Sequence, residues 1–318
     1  MRLPFLFILT ACVLLGAGCS VPSIIPRPPV TPRTPVIQSE PPVIQSEAEG
    51  SLPRDSAPAT SSFIPADLFA IPELIASARP LPEEAAFVCK RYRAGIVNHH
   101  ALASDLLAAF FRTLERCQPN IKTVIILSPD HFGQASAAVT THRSPYRVSG
   151  AEVAIDEQAV TRLSAAITSG REDAAPFVRE HGVGALLPFL KTASPEVKIV
   201  PVIIRSQMDE TSRNEMAAWL RNELKNPTTF VVVSSDMSHY LSADVAWAKQ
   251  AETDQALRSS NAPFFVVAKD DHTDNGESIA VVMQALGKTK WTLLRESISS
   301  DYAGSPGFTT TYAIGFWN

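Results

Sequence analysis

The chain has 318 residues and a formal net charge of −4, with 28 Lys and Arg against 32 Asp and Glu. It contains no basic block, which argues against nucleic acid as the main partner. No strand-like segment is followed by a GxGxxG, Walker or GxSxG pattern, so the sequence supports neither nucleotide binding nor a serine nucleophile of the hydrolase type.

The N-terminus has the layout of an export signal. Arg2 supplies positive charge, residues 3–16 form a short apolar core, and small residues precede Cys19. The stretch is shorter than the roughly 18 apolar residues of a membrane-spanning helix. Residues 15–19 resemble the bacterial lipobox, which implies a signal peptide over 1–19 with Cys19 as the lipidated residue. The lipid predicts a membrane-anchored, extracytoplasmic protein of the periplasm or cell surface; cleavage as an ordinary secretory signal is the alternative.

Residues 20–82 have the composition of a tether. They are rich in proline and serine and repeat Pro-Val-Ile-Gln-Ser-Glu at 35–40 and 42–47. Such a segment cannot bury enough apolar surface to offset its ordering entropy, so it is expected to stay disordered. Residues 83–318 then have the composition of one globular domain. Its two cysteines, Cys89 and Cys117, form a disulfide in an oxidising compartment or are simply buried, and their spacing leaves both open.

The domain alternates segments typical of strands and of helices. Runs of β-branched residues predict core strands, and apolar residues at helical spacing predict the helices between them. The predicted elements are a strand at 93–98, a helix at 101–117, a strand at 122–128, a helix at 156–168, a short apolar segment at 183–190, a strand at 197–204, a helix at 210–224, a strand at 229–235, helices at 243–259 and 275–286, and strands at 291–297 and 309–316. This order predicts an α/β three-layer sandwich with a mixed, largely parallel central sheet.

Most of the seven histidines lie where apolar runs end. The five in such places are His99, His100, His131, His181 and His239. Ligands of open α/β sheets bind beyond the carboxyl ends of the strands, so these side chains are expected to converge on one site. His100 is a weaker candidate than His99, because successive side chains of an extended chain point opposite ways. His142 and His272 stand alone in polar loops and are expected to be solvated.

Two of these histidines predict a metal site. Imidazole and carboxylate ligands suit iron, copper, manganese or zinc, and two histidines with one carboxylate are typical of non-haem iron oxygenases. His99 and His131 follow the first two strands, so adjacent strands would present both rings at one edge. The third ligand must come from elsewhere, and Asp274 is the best candidate.

Other side chains in these segments are suited to proton transfer. Asp236 and His239 lie three residues apart in a turn and form a candidate acid/base pair, because the pKa of histidine is near physiological pH. Asp236 would otherwise be a helix N-cap. Glu180 and His181 either begin a helix or belong to the site, with His181 as a further candidate catalytic residue.

Five segments in order resemble the Memo-like family, also called AmmeMemoRadiSam system protein B. They are Gly-Ile-Val-Asn-His-His at 95–100, Leu-Ser-Pro-Asp-His at 127–131, the segment at 180–190 that begins Glu-His-Gly, Val-Pro-Val-Ile at 200–203 and Ser-Ser-Asp-Met-Ser-His-Tyr at 234–240. The resemblance covers residues 93–318. It implies a fold similar to class III extradiol dioxygenases and an iron or copper ion held by two histidines and a cysteine. It places the two metal-ligating histidines at His99 and His131 and the acid/base pair at Asp236 and His239.

One departure from the family bears on the metal. Asn275 and Gly276 stand where the family has Cys-Gly, so the cysteine ligand is missing. Either Asp274 replaces it or metal binding is weakened. The leading hypothesis is a membrane-tethered Memo-like protein with a mononuclear metal, iron or copper foremost and zinc as the third choice, and dioxygenase-type oxidoreductase chemistry. The alternatives are a non-catalytic surface module that binds metal or a peptide, and a zinc-dependent hydrolase. The expected ligand of the cleft is a small molecule or a peptide.

Overall fold

The computed structural model describes residues 63–303 and 307–318. The proposed signal peptide, Cys19 and tether residues 20–62 lie outside the described residues. The strands are β1 Ile64–Pro65, β2 Ala94–Val97, β3 Thr123–Pro129, β4 Val139–Thr141, β5 Tyr146–Val148, β6 Ala151–Val153, β7 Gly170–Glu172, β8 Lys198–Ile204, β9 Thr229–Ser234, β10 Trp291–Ile298 and β11 Thr311–Trp317. The α-helices are α1 Pro72–Ser77, α2 Pro82–Ala86, α3 Ser104–Cys117, α4 Glu157–Ala166, α5 His181–Gly184, α6 Leu187–Ala193, α7 Glu210–Glu223, α8 Ala243–Arg258, α9 Ala262–Val267 and α10 Gly276–Leu286.

An eight-stranded sheet in the order β10-β11-β2-β9-β3-β8-β4-β7 forms the centre of the domain. Its inner strands β2, β9, β3 and β8 are parallel, whereas β11 pairs antiparallel with β2 and β4 pairs antiparallel with β8. Helix α3 packs against β2, β11 and α6, whereas α10 packs against β3, β9 and α7. The predicted α/β three-layer sandwich with a mixed, largely parallel sheet is confirmed.

Burial on both faces explains why the inner strands are apolar throughout. All seven residues of β3 are buried, and so are all six of β9. Parallel strands covered by helices on both faces have no solvent side, so their sequences show no polar alternation. β2 is held especially close to its neighbours, because a Cβ atom on Gly95 would lie 2.6 Å from the carbonyl oxygen of Gly315 and 2.7 Å from the ring of Phe110.

The strand register brings three carboxyl ends to the same edge of the sheet. Val97 of β2 pairs with Ser234 of β9, and Leu127 of β3 pairs with Val233 of β9. The expectation that β2 and β3 are adjacent is therefore wrong, since β9 lies between them. The crossover through α3 skips one strand position, which a strand from much later in the chain fills. All three strands are parallel, so the segments that follow them still meet.

Part of the segment assigned to the tether is structured. Ile64 and Pro65 pair in parallel with Tyr146 and Arg147 of β5, and the backbone N–H of Ile64 donates to Pro145 at 2.8 Å. The described fold therefore begins before residue 83. A two-residue strand in a proline-rich segment carries too little periodicity for sequence patterns to detect. Among the described residues, no helix is long and apolar enough to cross a membrane.

Cys89 and Cys117 form a disulfide. It joins the segment before β2 to the last residue of α3, with the Cα atoms 5.0 Å apart. The sequence left open whether these cysteines are bonded or are simply buried, and in the structure they are bonded. Disulfides persist mainly in oxidising compartments.

Replacing Cys89 and Cys117 together with serine is expected to lower the free energy of unfolding by about 2–5 kcal/mol, because the bond restricts the unfolded chain. For a domain of this size, that corresponds to a fall in Tm of roughly 5–15 °C. Thermal unfolding of the parent with and without reductant measures the effect, and Val88→Ser, beside Cys89 and exposed, is the control. Equal Tm values for parent and double variant under oxidising conditions would contradict the prediction.

Candidate metal centre

Three imidazole rings meet at the carboxyl edge of the sheet. His99 follows β2, His131 follows β3, and His181 is the first residue of α5. Their ring centroids lie 4.7 Å apart for His99 and His131, 5.0 Å for His99 and His181, and 4.0 Å for His131 and His181. One nitrogen of each ring lies within 4.8 Å of the others, close enough to hold one metal ion. The structure thus brings the two predicted metal ligands together and adds His181.

Asp274 points one carboxylate oxygen at these rings. Its Oδ2 atom lies 3.1 Å from Nε2 of His99 and 3.4 Å from Nε2 of His131. The Nε2 atom of His239 is 3.9 Å from the same oxygen. The side chain is only 11% exposed, and Oδ2 is buried without a hydrogen bond of normal geometry to any described residue. A buried carboxylate oxygen surrounded by imidazole nitrogens is a suitable ligand for a cation.

The other oxygen of Asp274 is held by a hydroxyl. Ser235, one residue after β9, donates from Oγ to Oδ1 of Asp274 at 2.9 Å. The same hydroxyl lies 2.6 Å from Oγ1 of Thr273. These contacts fix the carboxylate so that Oδ2 faces the imidazoles. Sequence patterns do not predict these contacts, because serine is common after a strand and Thr273 lies 38 positions from Ser235 in the chain.

Asn275, at the position where the resemblance implied a cysteine ligand, has a structural role. Its Nδ2 atom donates to the carbonyl oxygen of Ser234 at 2.8 Å and to that of Leu127 at 3.1 Å. The amide therefore ties the carboxyl ends of β3 and β9 together. The neighbouring Asp274 supplies the oxygen that faces the histidines.

Glu180 orients His131. Its Oε1 atom lies 2.7 Å from Nδ1 of His131, and its Oε2 atom accepts the backbone N–H of His131 at 3.1 Å. The N–H of Gly182 also donates to Oε1, at 2.8 Å. A Cβ atom at Gly182 would lie 2.3 Å from Oγ of Ser128, so this close approach requires glycine. Metal-binding histidines usually donate the second ring nitrogen to a carboxylate or carbonyl, as His131 does here.

The contacts of Asp236 are with His99. Oδ1 of Asp236 accepts the backbone N–H of His99 at 3.0 Å, and Oδ2 lies 3.9 Å from Nε2 of the same residue. Nδ1 of His99 lies 3.0 Å from Oγ of Ser234. Among the described residues, Asp236 forms neither a hydrogen bond nor an ion pair with His239. His239 is held by its backbone N–H, which donates to the Asp270 carbonyl at 2.8 Å, while its buried Nδ1 has no hydrogen-bond partner in the described part.

The charges at the centre change the pKa of each group. Burial by itself would lower the pKa of His99, but the carboxylates of Asp236 and Asp274 outweigh it and raise that pKa. Burial also opposes protonation of His131, yet Asp274 and Glu180 raise its pKa to about 10. Burial and the two cationic neighbours hold the pKa of His181 well below its usual range. Burial disfavours the charged form of Asp274, but the surrounding histidines hold the pKa of this carboxyl well below normal.

These shifts predict that metal binding releases protons. A raised pKa means that His131 carries a proton at pH 7 in the metal-free protein, so a metal ion must displace it. The affinity for metal should therefore fall as the pH falls, by about tenfold per pH unit for each displaced proton between pH 9 and 7. Titration calorimetry with Zn(II) in buffers of different ionisation enthalpy counts the protons. A pH-independent affinity in this range would contradict the prediction.

His142 and His272, both expected to be solvated, differ in their burial. His142 is buried, with Nε2 3.1 Å from the Tyr146 hydroxyl and its ring against Phe177, and this burial lowers its pKa to about 3. The expectation was wrong because Tyr146 of β5 and Phe177, which is distant in the chain, pack against the ring. His272 is partly exposed and contacts the carboxylates of Asp271 and Glu252. His100 lies outside the three-histidine group, with Nδ1 2.7 Å from the Tyr312 hydroxyl.

The fold and site define an α/β protein with a histidine-rich candidate metal centre at the carboxyl edge of a largely parallel sheet. The family model of the Memo-like protein matches residues 81–315. The chain belongs to the Memo-like family, as its ordered motifs predicted.

Proteins of the same family from archaea and bacteria are similar to the chain. A MEMO1 family protein of Caldivirga maquilingensis is 26% identical over 60% of this chain and 71% of its own length. One from Thermotoga sp. is 21% identical over 66% of this chain and 77% of its own. Among solved structures, an uncharacterized protein from Escherichia coli K12 matches 70% of this chain and 99% of its own with a TM-score of 0.46 and 15% identity.

Proposed function

We propose that this chain is a lipid-anchored, extracytoplasmic Memo-like protein that holds one metal ion and carries out redox chemistry on a small molecule in the cleft. The observation that carries the proposal is the orientation of Asp274. Its buried Oδ2 lies 3.1 Å from His99 and 3.4 Å from His131 and has no hydrogen-bond partner of its own among the described residues. In the metal-free protein the proton on His131 offsets the charge of this buried carboxylate, and a metal ion would take the place of that proton beside the same oxygen.

The residues present fit a mononuclear metal. His99, His131 and Asp274 would be its ligands, which makes two imidazoles and one carboxylate, with His181 close enough to be a fourth. This donor set favours iron or copper and accepts zinc. When bound, such an ion would supply open positions at which a substrate and an oxidant are held side by side.

The side chains around the centre would hold or transfer protons and orient the metal ligands. The Nε2 atom of His239 is 3.9 Å from Oδ2 of Asp274, so His239 is positioned to hold or move a proton beside the donor set. The carboxylate of Asp236 lies against His99, where it would favour the orientation of a ligand histidine. His181, the remaining candidate catalytic residue, has its pKa held low and would therefore stay neutral near the metal.

Two features support the proposed location. The segment before Cys19 resembles a lipobox, and the domain contains the Cys89–Cys117 disulfide. Intracellular reductants keep most thiols reduced, so a structural disulfide fits an exported protein. Labelling with a radioactive fatty acid should mark the parent chain and leave Cys19→Ser unlabelled.

The alternative is a non-catalytic module that binds metal or a peptide. Its support is Asn275, whose amide binds two carbonyl groups where the family has a metal-ligating cysteine. A zinc-dependent hydrolase is the other alternative, since the ligand set accepts zinc.

Metal analysis of the full chain, purified under low oxygen, tests the proposal. We expect close to one iron or copper per chain. His239→Ala should leave that content unchanged and abolish turnover of any substrate found, because this residue is proposed to move protons rather than to bind metal. Zinc alone would favour the hydrolase. A chain that stays empty after incubation with Fe(II), Cu(II) and Zn(II) would favour a peptide-binding module, and loss of metal in His239→Ala would contradict the assigned role.

A further inference from the structure

Two exposed aromatic rings lie beside His239. Tyr240 and Phe308 are each 53% exposed. Their ring centroids are 5.0 Å apart at an angle of 28°, so the rings are stacked. Elsewhere in the described residues, the large apolar side chains that are this exposed are aliphatic. Two aromatic side chains stacked in solvent are therefore a feature that core packing does not explain.

The backbone holds this pair in place. Leu241 and Thr309, the next residues along, form an antiparallel bridge in which Thr309 N–H donates to Leu241 at 2.8 Å. The Oγ1 hydroxyl of Thr309 donates to the same carbonyl at 2.9 Å. Tyr240 has a φ of 58°, in the left-handed region that a bulky residue rarely adopts. Such conformations persist where the surrounding structure enforces them and are concentrated at functional sites.

The pair adjoins the candidate metal centre. The ring of Tyr240 lies 5.5 Å from that of His239. Nε2 of His239 is in turn 3.9 Å from Oδ2 of Asp274. One imidazole therefore separates the exposed rings from the donor set, so a ligand of modest length would reach both.

We propose that Tyr240 and Phe308 form an aromatic platform for the flat ring of a small molecule whose other end reaches the metal centre. This inference rests on the proposed function, because it assigns a substrate class to that centre. Aromatic faces prefer flat rings in offset or edge contact. Two side chains offer far less area than the roughly 800 Å² per partner of a stable protein interface, so a small molecule is the better fit.

Binding of benzamide, compared with its saturated analogue cyclohexanecarboxamide, tests the platform. Ligand-observed NMR on the full chain in detergent gives the affinities. We expect benzamide to bind more tightly than the analogue, and about 2- to 12-fold more weakly to Tyr240→Ala and to Phe308→Ala, as loss of one aromatic contact predicts. Tyr240→Phe should keep the affinity, and Val267→Ala, at a 74% exposed aliphatic residue on α9, is the control.

The outcomes separate the platform from the metal site. Absence of benzamide binding, equal affinity for both probes, or equal affinity for parent and Tyr240→Ala would overturn the platform. Metal content should be the same in parent and Tyr240→Ala. The variant His99→Gln, His131→Gln, shown by thermal unfolding to be folded, should lose metal and still bind benzamide. If the parent holds no metal but binds benzamide as expected, the proposed function fails and the platform stands.

Discussion

Replacing His99 and His131 together with alanine is expected to remove stoichiometric metal binding. Both rings turn Nε2 towards Oδ2 of Asp274. The second ring nitrogen, Nδ1, contacts the hydroxyl of Ser234 in His99 and the carboxylate of Glu180 in His131. Removing a hydrogen-bond partner of a metal ligand typically lowers metal affinity by about 10- to 100-fold. Removing two ligands should lower the affinity by more than that. Metal per chain and competition with a chromophoric chelator measure it.

The controls for this variant separate folding from binding. Without the two imidazoles, the buried carboxylates of Asp236 and Asp274 repel each other, so the alanine variant is expected to lose stability. A second variant with glutamine at both positions keeps the volume and most hydrogen bonds, and thermal unfolding checks that it is folded. His272→Gln changes a histidine outside the three-ring group. A folded glutamine variant with the metal content of the parent would rule out both residues as ligands.

Asp274→Asn is expected to lower metal affinity by about 100-fold or more. The change keeps the shape of the side chain and lets Ser235 still donate to the remaining carbonyl oxygen, but it removes the negative charge that faces the imidazoles. An amide oxygen is a weak ligand for iron, copper or zinc beside a carboxylate. Equilibrium competition at constant pH gives the affinities, and the Co(II) absorption spectrum reports the geometry.

His181→Gln is the matched comparison, because His181 belongs to the competing three-histidine ligand set. If His99, His131 and Asp274 are the ligands, the affinity should fall less in His181→Gln than in Asp274→Asn. The opposite order would assign the metal to the three histidines and leave Asp274 as a counter-charge. A large and equal loss in both variants would indicate four protein ligands.

The sequence alone determined the elements and the kinds of chemistry. The strand predicted at 229–235 is β9, and the helix predicted at 210–224 is α7, each within one residue at either end. Continuous apolar runs and helical periodicity are local patterns of the sequence, so strands and helices can be predicted from them without knowledge of the fold. The same holds for His99 and His131, whose places after two such runs predicted that they meet.

Only the tertiary structure decided which partners those residues have. β9 inserts between β2 and β3, so its following residue Ser235 reaches Asp274 and its Asp236 reaches His99. His181 lies at the centre because the side chain of its neighbour Glu180 binds Nδ1 of His131. These contacts link residues that are 38 to 137 positions apart in the chain, as for Ser235 with Thr273 and His99 with Asp236. Distances across such separations are set by strand order and register, which the crossover connections determine and which no local pattern of residue types encodes.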